Sequence, residues 1–326
     1  MQQSPPQPEY IFRGHQDDVN NVHFFNDDKY IISCDASGII IVWLFQTRRP
    51  LFQWKAHSAP CLSVHVYDQD KVVSQGRDNM IHVWQLDFNS NDSPRLVDSL
   101  PYDSITYCQL SLTKTNGDTM ICFPSIASPF QMDIYNLTKR TWVIQNIGDQ
   151  NNEQRRICMA LQFMEQKYPI IDILAGYENG TMVLWQCHLE TKNVRLVWQM
   201  HCHEKPVLCL IGSVIEGYAL SGSLDNQVIK YDLTNGQIIK KIKTKKSGTA
   251  SVALRKDNKI WATGGYDGNI RVYSVKTMKP LAILSYHRDS VYYVDFAKSW
   301  MIGQDNEQHW LVGCSKDHRI SLWQIY

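Results

Sequence analysis

SQGRDNMIHVW, residues 74–84, holds the reading of this chain. It sits downstream of the apolar run Lys71-Val72-Val73 and turns at the polar pair Asp78–Asn79. It then enters a short β-rich run that ends on an aromatic residue, Trp84. Two short apolar segments flanking a tight polar turn read as neighbouring antiparallel strands. The turn residue and the aromatic are six positions apart.

The same spacing recurs in SGIIIVW (37–43), NGTMVLW (179–185), DNQVIKY (225–231), DGNIRVY (267–273) and DHRISLW (317–323). Each is preceded by another apolar strand, such as YIISC, DILAG or YALSG, and a weaker copy, QMDIY (131–135), fills the gap between Trp84 and Trp185. Seven units result, with terminal aromatics 41 to 51 residues apart. A period of that size is the mark of a repeat architecture. A small four-stranded sheet cannot bury both of its faces, so such sheets stack radially, each covering the next. Near-continuous apolar runs such as Ile39–Trp43 suit strands packed on both sides.

Composition sets the outer limits. The 326 residues are 44% hydrophobic and 20% charged, ordinary values for a globular domain. Lys+Arg 33 against Asp+Glu 32 leaves a net charge of +1, so a globally basic nucleic-acid binder is not expected. No apolar run reaches the roughly 18 residues of a membrane span. The start, MQQSPPQPEY, reads as neither a secretion signal nor a transit helix. The nine cysteines stand singly, without a CxxC pair, and read as reduced thiols of an intracellular protein.

Period and turn-to-aromatic spacing together resemble the WD40 family over almost the whole chain. The resemblance implies a tetrad of His, Ser or Thr, Asp and Trp in each unit. The second unit supplies all four as His57, Ser74, Asp78 and Trp84. The fifth has His203, Ser221 and Asp225, with Tyr231 in place of Trp. In the first, Ser37 takes the Asp slot beside His15, Ser33 and Trp43; in the seventh, Gly313 takes the Ser slot beside His287, Asp317 and Trp323. The sixth keeps Thr263, Asp267 and Tyr273 without a His, the fourth keeps only Trp185, and the third is barely legible. The expected fold is an all-β, seven-bladed WD40 propeller over residues 10–326, after a short flexible tail, 1–9. The last unit shows only three strands before Tyr326, and YIFRG (10–14) precedes the first unit's own strands. Pairing YIFRG beside RISLWQIY would close the ring and cover an exposed edge.

Catalysis is not expected. A Ser-His-Asp triad occurs once and ends in an exposed nucleophile, whereas here the set recurs and ends in an aromatic. HCHE (201–204) does not read as a metal cluster, because His203 belongs to the tetrad and adjacent strand residues point to opposite faces. No phosphate-binding or dinucleotide motif is present, so no cofactor is expected. KKIKTKK (240–246) is the one strong charge run, readable as a solvated outer strand or as a site for acidic partners. Loops 87–95, 146–156 and 299–309 interrupt the repeat and read equally as functional loops or tolerated insertions. Residues just before the turn line one face in WD40 proteins. By that resemblance Arg77, Glu178, Tyr266 and Lys316 are the candidates for partner contact.

WLFQTRRPL (43–51), SQGRDNMIHVW, LAGYENGTMVLW (174–185), CHEKPV (202–207), IRVYSVKTMKPLAILSYH (270–287) and GCSKDHRISLWQIY (313–326) narrow the likeness. Together they resemble the guanine-nucleotide-binding-protein β-subunit-like family, whose fungal members are ASTRA-associated WD-repeat proteins; residues 96–156 match poorly. The resemblance implies a non-enzymatic scaffold or adaptor, nuclear and cytoplasmic. Its implied partners are subunits of the ASTRA complex, which is tied to chromatin remodelling, and of the TTT co-chaperone that matures phosphatidylinositol-3-kinase-related kinases. The client kinases themselves are further candidates. A chromatin reader that takes a histone tail or another basic peptide is the alternative. No G-protein γ subunit is expected, since about nine residues precede the first strand and a coiled coil needs a long helix.

Overall fold

The computed structural model describes residues 6–90, 92–103, 105–148, 157–165, 167–244, 246, 248–298, 301–302 and 307–325. Strands account for all of its regular structure, and among the described residues there is no helix. β1 (Tyr10–Arg13) stands apart at the start. The first sheet is β2 (Val19–Phe25), β3 (Tyr30–Asp35), β4 (Ile39–Leu44) and β5 (Arg49–Lys55). The second is β6 (Cys61–Val66), β7 (Lys71–Gly76), β8 (Met80–Gln85) and β9 (Arg95–Pro101). The third, the least legible in sequence, is a complete sheet of β10 (Ser111–Thr115), β11 (Asp118–Pro124), β12 (Met132–Asn136) and β13 (Thr141–Ile147). The fourth is β14 (Cys158–Glu165), β15 (Ile170–Tyr177), β16 (Thr181–His188) and β17 (Val194–His201). The fifth is β18 (Val207–Ser213), β19 (Tyr218–Ser223), β20 (Gln227–Asp232) and β21 (Ile238–Lys243). The sixth is β22 (Thr249–Leu254), β23 (Ile260–Gly265), β24 (Asn269–Ser274) and β25 (Pro280–Ser285). β26 (Val291–Phe296), the short β27 (Met301–Ile302), β28 (Glu307–Ser315) and β29 (Arg319–Ile325) complete the chain.

The first six sheets run in chain order, each strand antiparallel to its neighbour, and the seventh has the order β26-β28-β29-β1. This is the expected seven-bladed β-propeller, with the N-terminal strand as the outer strand of the last blade. The register runs from Tyr10 opposite Leu322 to Arg13 opposite Arg319. Phe12 is buried against Trp43, and the ring of Tyr10 lies under the Arg48 guanidinium, 5.2 Å away. The same guanidinium covers Phe45 and Trp310, so one side chain clamps the closing strand to the first and seventh sheets.

Contacts divide the chain into two compact units, residues 1–101 with 250–326, and residues 102–249. Within each unit a repeated bond ties neighbouring sheets. A polar side chain on the first strand of one sheet accepts an N–H from the first strand of the next. Asn21 accepts from Val64 (3.3 Å), Asp295 from Phe24 (3.1 Å) and Ser251 from Val294 (3.1 Å) in one unit. Ser111 accepts from Phe163 and Gln162 from Gly212 (3.0 Å each) in the other. These bonds satisfy buried backbone donors that no neighbouring strand reaches.

Of the three interrupting loops, 87–95 is described except at Asn91; Phe88 stacks on Tyr30 at 4.7 Å and meets Phe52 edge-on, so it is packed into the first sheet's core. Residues 149–156 of the second loop, and 299–300 and 303–306 of the third, lie outside the described residues, as does Lys245 of the basic run.

Candidate interaction surface

In the first, second, fifth and seventh sheets the mouth, where the second and third strands turn, is held by a tetrad. In the second sheet Asp78 accepts from His57 Nδ1 at 2.9 Å, His57 Nε2 meets Ser74 Oγ at 2.8 Å, and Trp84 Nε1 donates to the same oxygen at 3.0 Å. A neutral imidazole protonated at Nδ1 satisfies the chain, with the serine hydroxyl donating to Nε2. Burial drives the His57 pKa down to about 4, more than the Asp78 carboxylate can offset. The fifth sheet repeats the pattern with His203, Asp225 (2.9 Å) and Ser221 (2.8 Å), and burial again lowers the histidine. Tyr231 there is buried and packs edge-on against Trp198 at 5.8 Å.

Two sets differ from the sequence expectation. In the first sheet the partner of His15 is Asp35 at 2.7 Å, while Ser37 donates its hydroxyl to that carboxylate. Asp35 occupies the place of Gly76 in the second sheet, where an added Cβ would lie 2.2 Å from the His57 ring. A carboxylate from that position reaches the imidazole directly. In the seventh sheet the serine is Ser321, opposite Gly313 in the ladder. It meets His287 Nε2 at 2.8 Å and accepts from Trp323 Nε1 at 2.8 Å. The hydroxyl has moved to the adjacent strand and bonds the Gly313 carbonyl at 3.3 Å. The sixth sheet, lacking the histidine, holds Asp267 with both Arg271 guanidinium nitrogens, at 3.0 and 2.6 Å.

The four tetrad serines, Ser33, Ser74, Ser221 and Ser321, are all fully buried, so none offers its oxygen to a substrate. His57, Asp78 and His82 bring ligand atoms within 4.8 Å of one another, but both His57 nitrogens are taken by Asp78 and Ser74. Asp17, Asp18 and His318 form a second such group at the edge of the first and seventh sheets. In HCHE, Cys202 and His203 are buried and His201 is exposed, so the three do not converge. All nine cysteines are free thiols and buried, and burial lifts Cys209 to about 12.

The four positions predicted to meet partners share one setting. Arg77 N–H donates to the Pro60 carbonyl, Glu178 to Ile157 and Lys316 to Ser290, while Tyr266 accepts from the Ser290 hydroxyl. Ala36 and Leu224 make the same bond, to Asp18 and Pro206. The turn is thereby locked to the loop that enters each sheet, with its side chains at the mouth. Tyr266 (40% exposed) and Lys316 project to solvent, whereas Arg77 and Glu178 are half-buried. Arg77, Tyr266 and Lys316 lie in one unit and Glu178 in the other.

Sequence reasoning missed the mouth of the third sheet. Ile105 (58% exposed) and Tyr107 (66%) precede β10, and Ile126 (46%) follows β11. The Ser111–Cys122 pairing brings those two loops to the same end. The signal was there, in apolar residues within a turn-rich stretch, but the third unit could not be aligned well enough to assign the positions.

The family model described as "WD domain, G-beta repeat" matches residues 6–43 and 236–274. Guanine nucleotide-binding protein subunit beta-like protein 1 of Mus musculus is 30% identical over 334 residues, covering 99% of this chain and 97% of that protein. The chain belongs to this WD-repeat family. ASTRA-associated protein 1 of Penicillium rubens is 27% identical over 433 residues (99% of this chain, 98% of that protein). The Schizosaccharomyces pombe protein of the same name is 26% identical over 384 (98% and 99%). The family likeness thus covers blades with intact tetrads and those without.

Proposed function

We propose that this chain is a non-catalytic scaffold subunit of an ASTRA-type assembly, acting through the mouths of its blades. The observation that carries the reading is end-to-end similarity to proteins named ASTRA-associated protein 1. Burial of every tetrad serine favours a rigid platform over a hydrolase. Arg77, Glu178, Tyr266 and Lys316 are the proposed contacts; Arg and Tyr are residue types that anchor interfaces. In this reading the chain serves the TTT co-chaperone in maturing phosphatidylinositol-3-kinase-related kinases and works in nucleus and cytoplasm. It uses protein partners rather than nucleic acid, membrane or a G-protein γ subunit.

Affinity purification of the tagged protein from its native cells, followed by mass spectrometry of nuclear and cytoplasmic fractions, tests this. The reading expects ASTRA and TTT subunits in both. Histones recovered without those subunits would replace the scaffold with a histone-tail reader.

A further inference from the structure

The most polarised charge on the molecule lies on the outer strand of the fifth sheet. Between Asp232 and Asp257 there is no acidic residue and there are seven Lys or Arg, in a chain whose net charge is only +1. Three of these are on β21, Ile238–Lys243, as Lys240, Lys241 and Lys243. β21 ends its sheet and has β20 as its one strand partner among the described residues. Outer strands β5, β17 and β25 bury large side chains, Phe52 and Trp54 on β5, Trp198 on β17 and Leu284 on β25, while β9 buries none. β21 buries none, and only Ile242 is half-covered.

The backbone of β21 is also available. Thr244 N–H donates to the Asn226 carbonyl at 2.8 Å, and the register continues through Lys243 opposite Gln227, Ile242 opposite Val228, and Lys241 opposite Ile229. Bonding pairs alternate along an antiparallel ladder, so Ile242 bonds inward and Lys241 and Lys243 turn their N–H and C=O groups outward. Their side chains share one face, two residues apart, and Lys241, Lys243 and Lys246 have no carboxylate partner among the described residues. On the opposite face Lys240 stands across the ladder from Lys230.

We propose that β21 is a docking edge for an extended acidic peptide segment of a protein partner, which joins the fifth sheet as an added strand. Strand addition takes its affinity from main-chain bonds and its selectivity from alternate side chains. Acidic residues at alternate positions of the incoming strand would stand directly opposite Lys241 and Lys243, where opposite charges stabilise a cross-strand pair. Lysines on an edge ordinarily guard against self-association. Here the same charges repel a second copy of β21 and admit a strand of opposite sign, so one feature serves both ends. A nucleic-acid strand fits less well: it has no backbone ladder to complete, and single-strand sites need exposed aromatic platforms, whereas Tyr218 and Tyr231 beside this strand are buried. The proposal stands apart from the assembly reading, and either can fail without the other.

The test is fluorescence anisotropy on the full-length protein with three labelled probes. These are a short peptide alternating Glu with Thr or Val, the same peptide N-methylated at alternate residues on its pairing edge, and a single-stranded oligonucleotide. The unmodified peptide is expected to bind. Lys241→Glu/Lys243→Glu, both solvent-facing, should weaken it about tenfold or more, and N-methylation should do the same without touching the protein. Thermal melting of the variant, and the neutral Lys241→Gln/Lys243→Gln pair, separate charge from folding. No binding of the unmodified peptide, equal binding of its N-methylated form, or tighter binding of the oligonucleotide would overturn strand addition.

Discussion

The second and fourth sheets have the same four strands and hold them by different means. In the second, a buried His57–Ser74–Asp78–Trp84 chain crosses from the entry loop through the turn to the third strand. In the fourth, Asn179 and Ala175 occupy the Asp and Ser places, and Asn179 caps its own turn by accepting from Thr181 N–H at 3.1 Å. What replaces the polar chain is an apolar core shared by the third and fourth sheets, including Ile171, Ile173, Trp185 and four buried cysteines. One feature is common to both modes. Gly180 of the fourth sheet, at φ +83°, and Gly38 of the tetrad-bearing first sheet, at φ +77°, let the turn touch the backbone of the next entry loop, where an added Cβ would lie 1.9 Å from His203 O and 2.3 Å from His57 O; Asn79 takes that place in the second sheet, also at positive φ (64°). The blade geometry therefore depends on backbone contact and burial. The tetrad is one way to fix it.

The largest effect should come from the closure. Removing residues 1–13 strips β1 from β29 and uncovers a strand edge, so the truncated chain is expected to aggregate on size-exclusion chromatography. A milder version, Phe12→Ala, should cost about 3–5 kcal/mol in denaturant unfolding.

Next come paired substitutions that set the two modes against each other. Asp78→Ala leaves a buried imidazole N–H unpaired and should cost about 1–3 kcal/mol, whereas Asn179→Ala at the matching turn should stay within about 0.5 kcal/mol. Ile173→Ala reverses the order, with a loss of about 2–5 kcal/mol in the apolar sheet. Equal losses from Asp78→Ala and Asn179→Ala would erase the distinction.

Acid should separate the two modes as well. His57 titrates near 4 in the folded chain, below its ordinary 6.5, so the unfolded chain takes up its proton first. Its contribution is fully present above pH 6.5 and is lost as pH falls towards 4, by about 3 kcal/mol. Hydrogen exchange across that range should show the second and fifth sheets losing protection before the fourth. A modest effect is expected at the clamp: Arg48→Ala should cost about 1 kcal/mol, read as a small drop in melting temperature.

Much of this was legible because the repeat places chemistry at fixed offsets. The period and the closing strand follow from turn and aromatic spacing, and the tetrads of the second and fifth sheets follow once the WD40 resemblance is laid on those positions. Asp35 and Ser321 were not legible, because each donates its group from a neighbouring position in the ladder, and proximity across strands does not appear as spacing along the chain. Arg271 was missed for a similar reason: it fills the position of His82 and stabilises Asp267 from within its own strand. The third sheet was obscure because its core is held by unpatterned apolar residues, with Met120, Cys122, Met132 and Ile134 standing where neither His nor Ser marks the register.

The most direct measurement of the central claim is affinity purification of wild type beside Arg77→Glu/Tyr266→Ala/Lys316→Glu, with Glu178→Lys purified separately. The account predicts that the triple variant melts within a few degrees of wild type yet loses the ASTRA and TTT subunits that wild type retains. Equal recovery of those subunits by wild type and both variants would contradict the assignment of the blade mouths as the scaffold's working surface.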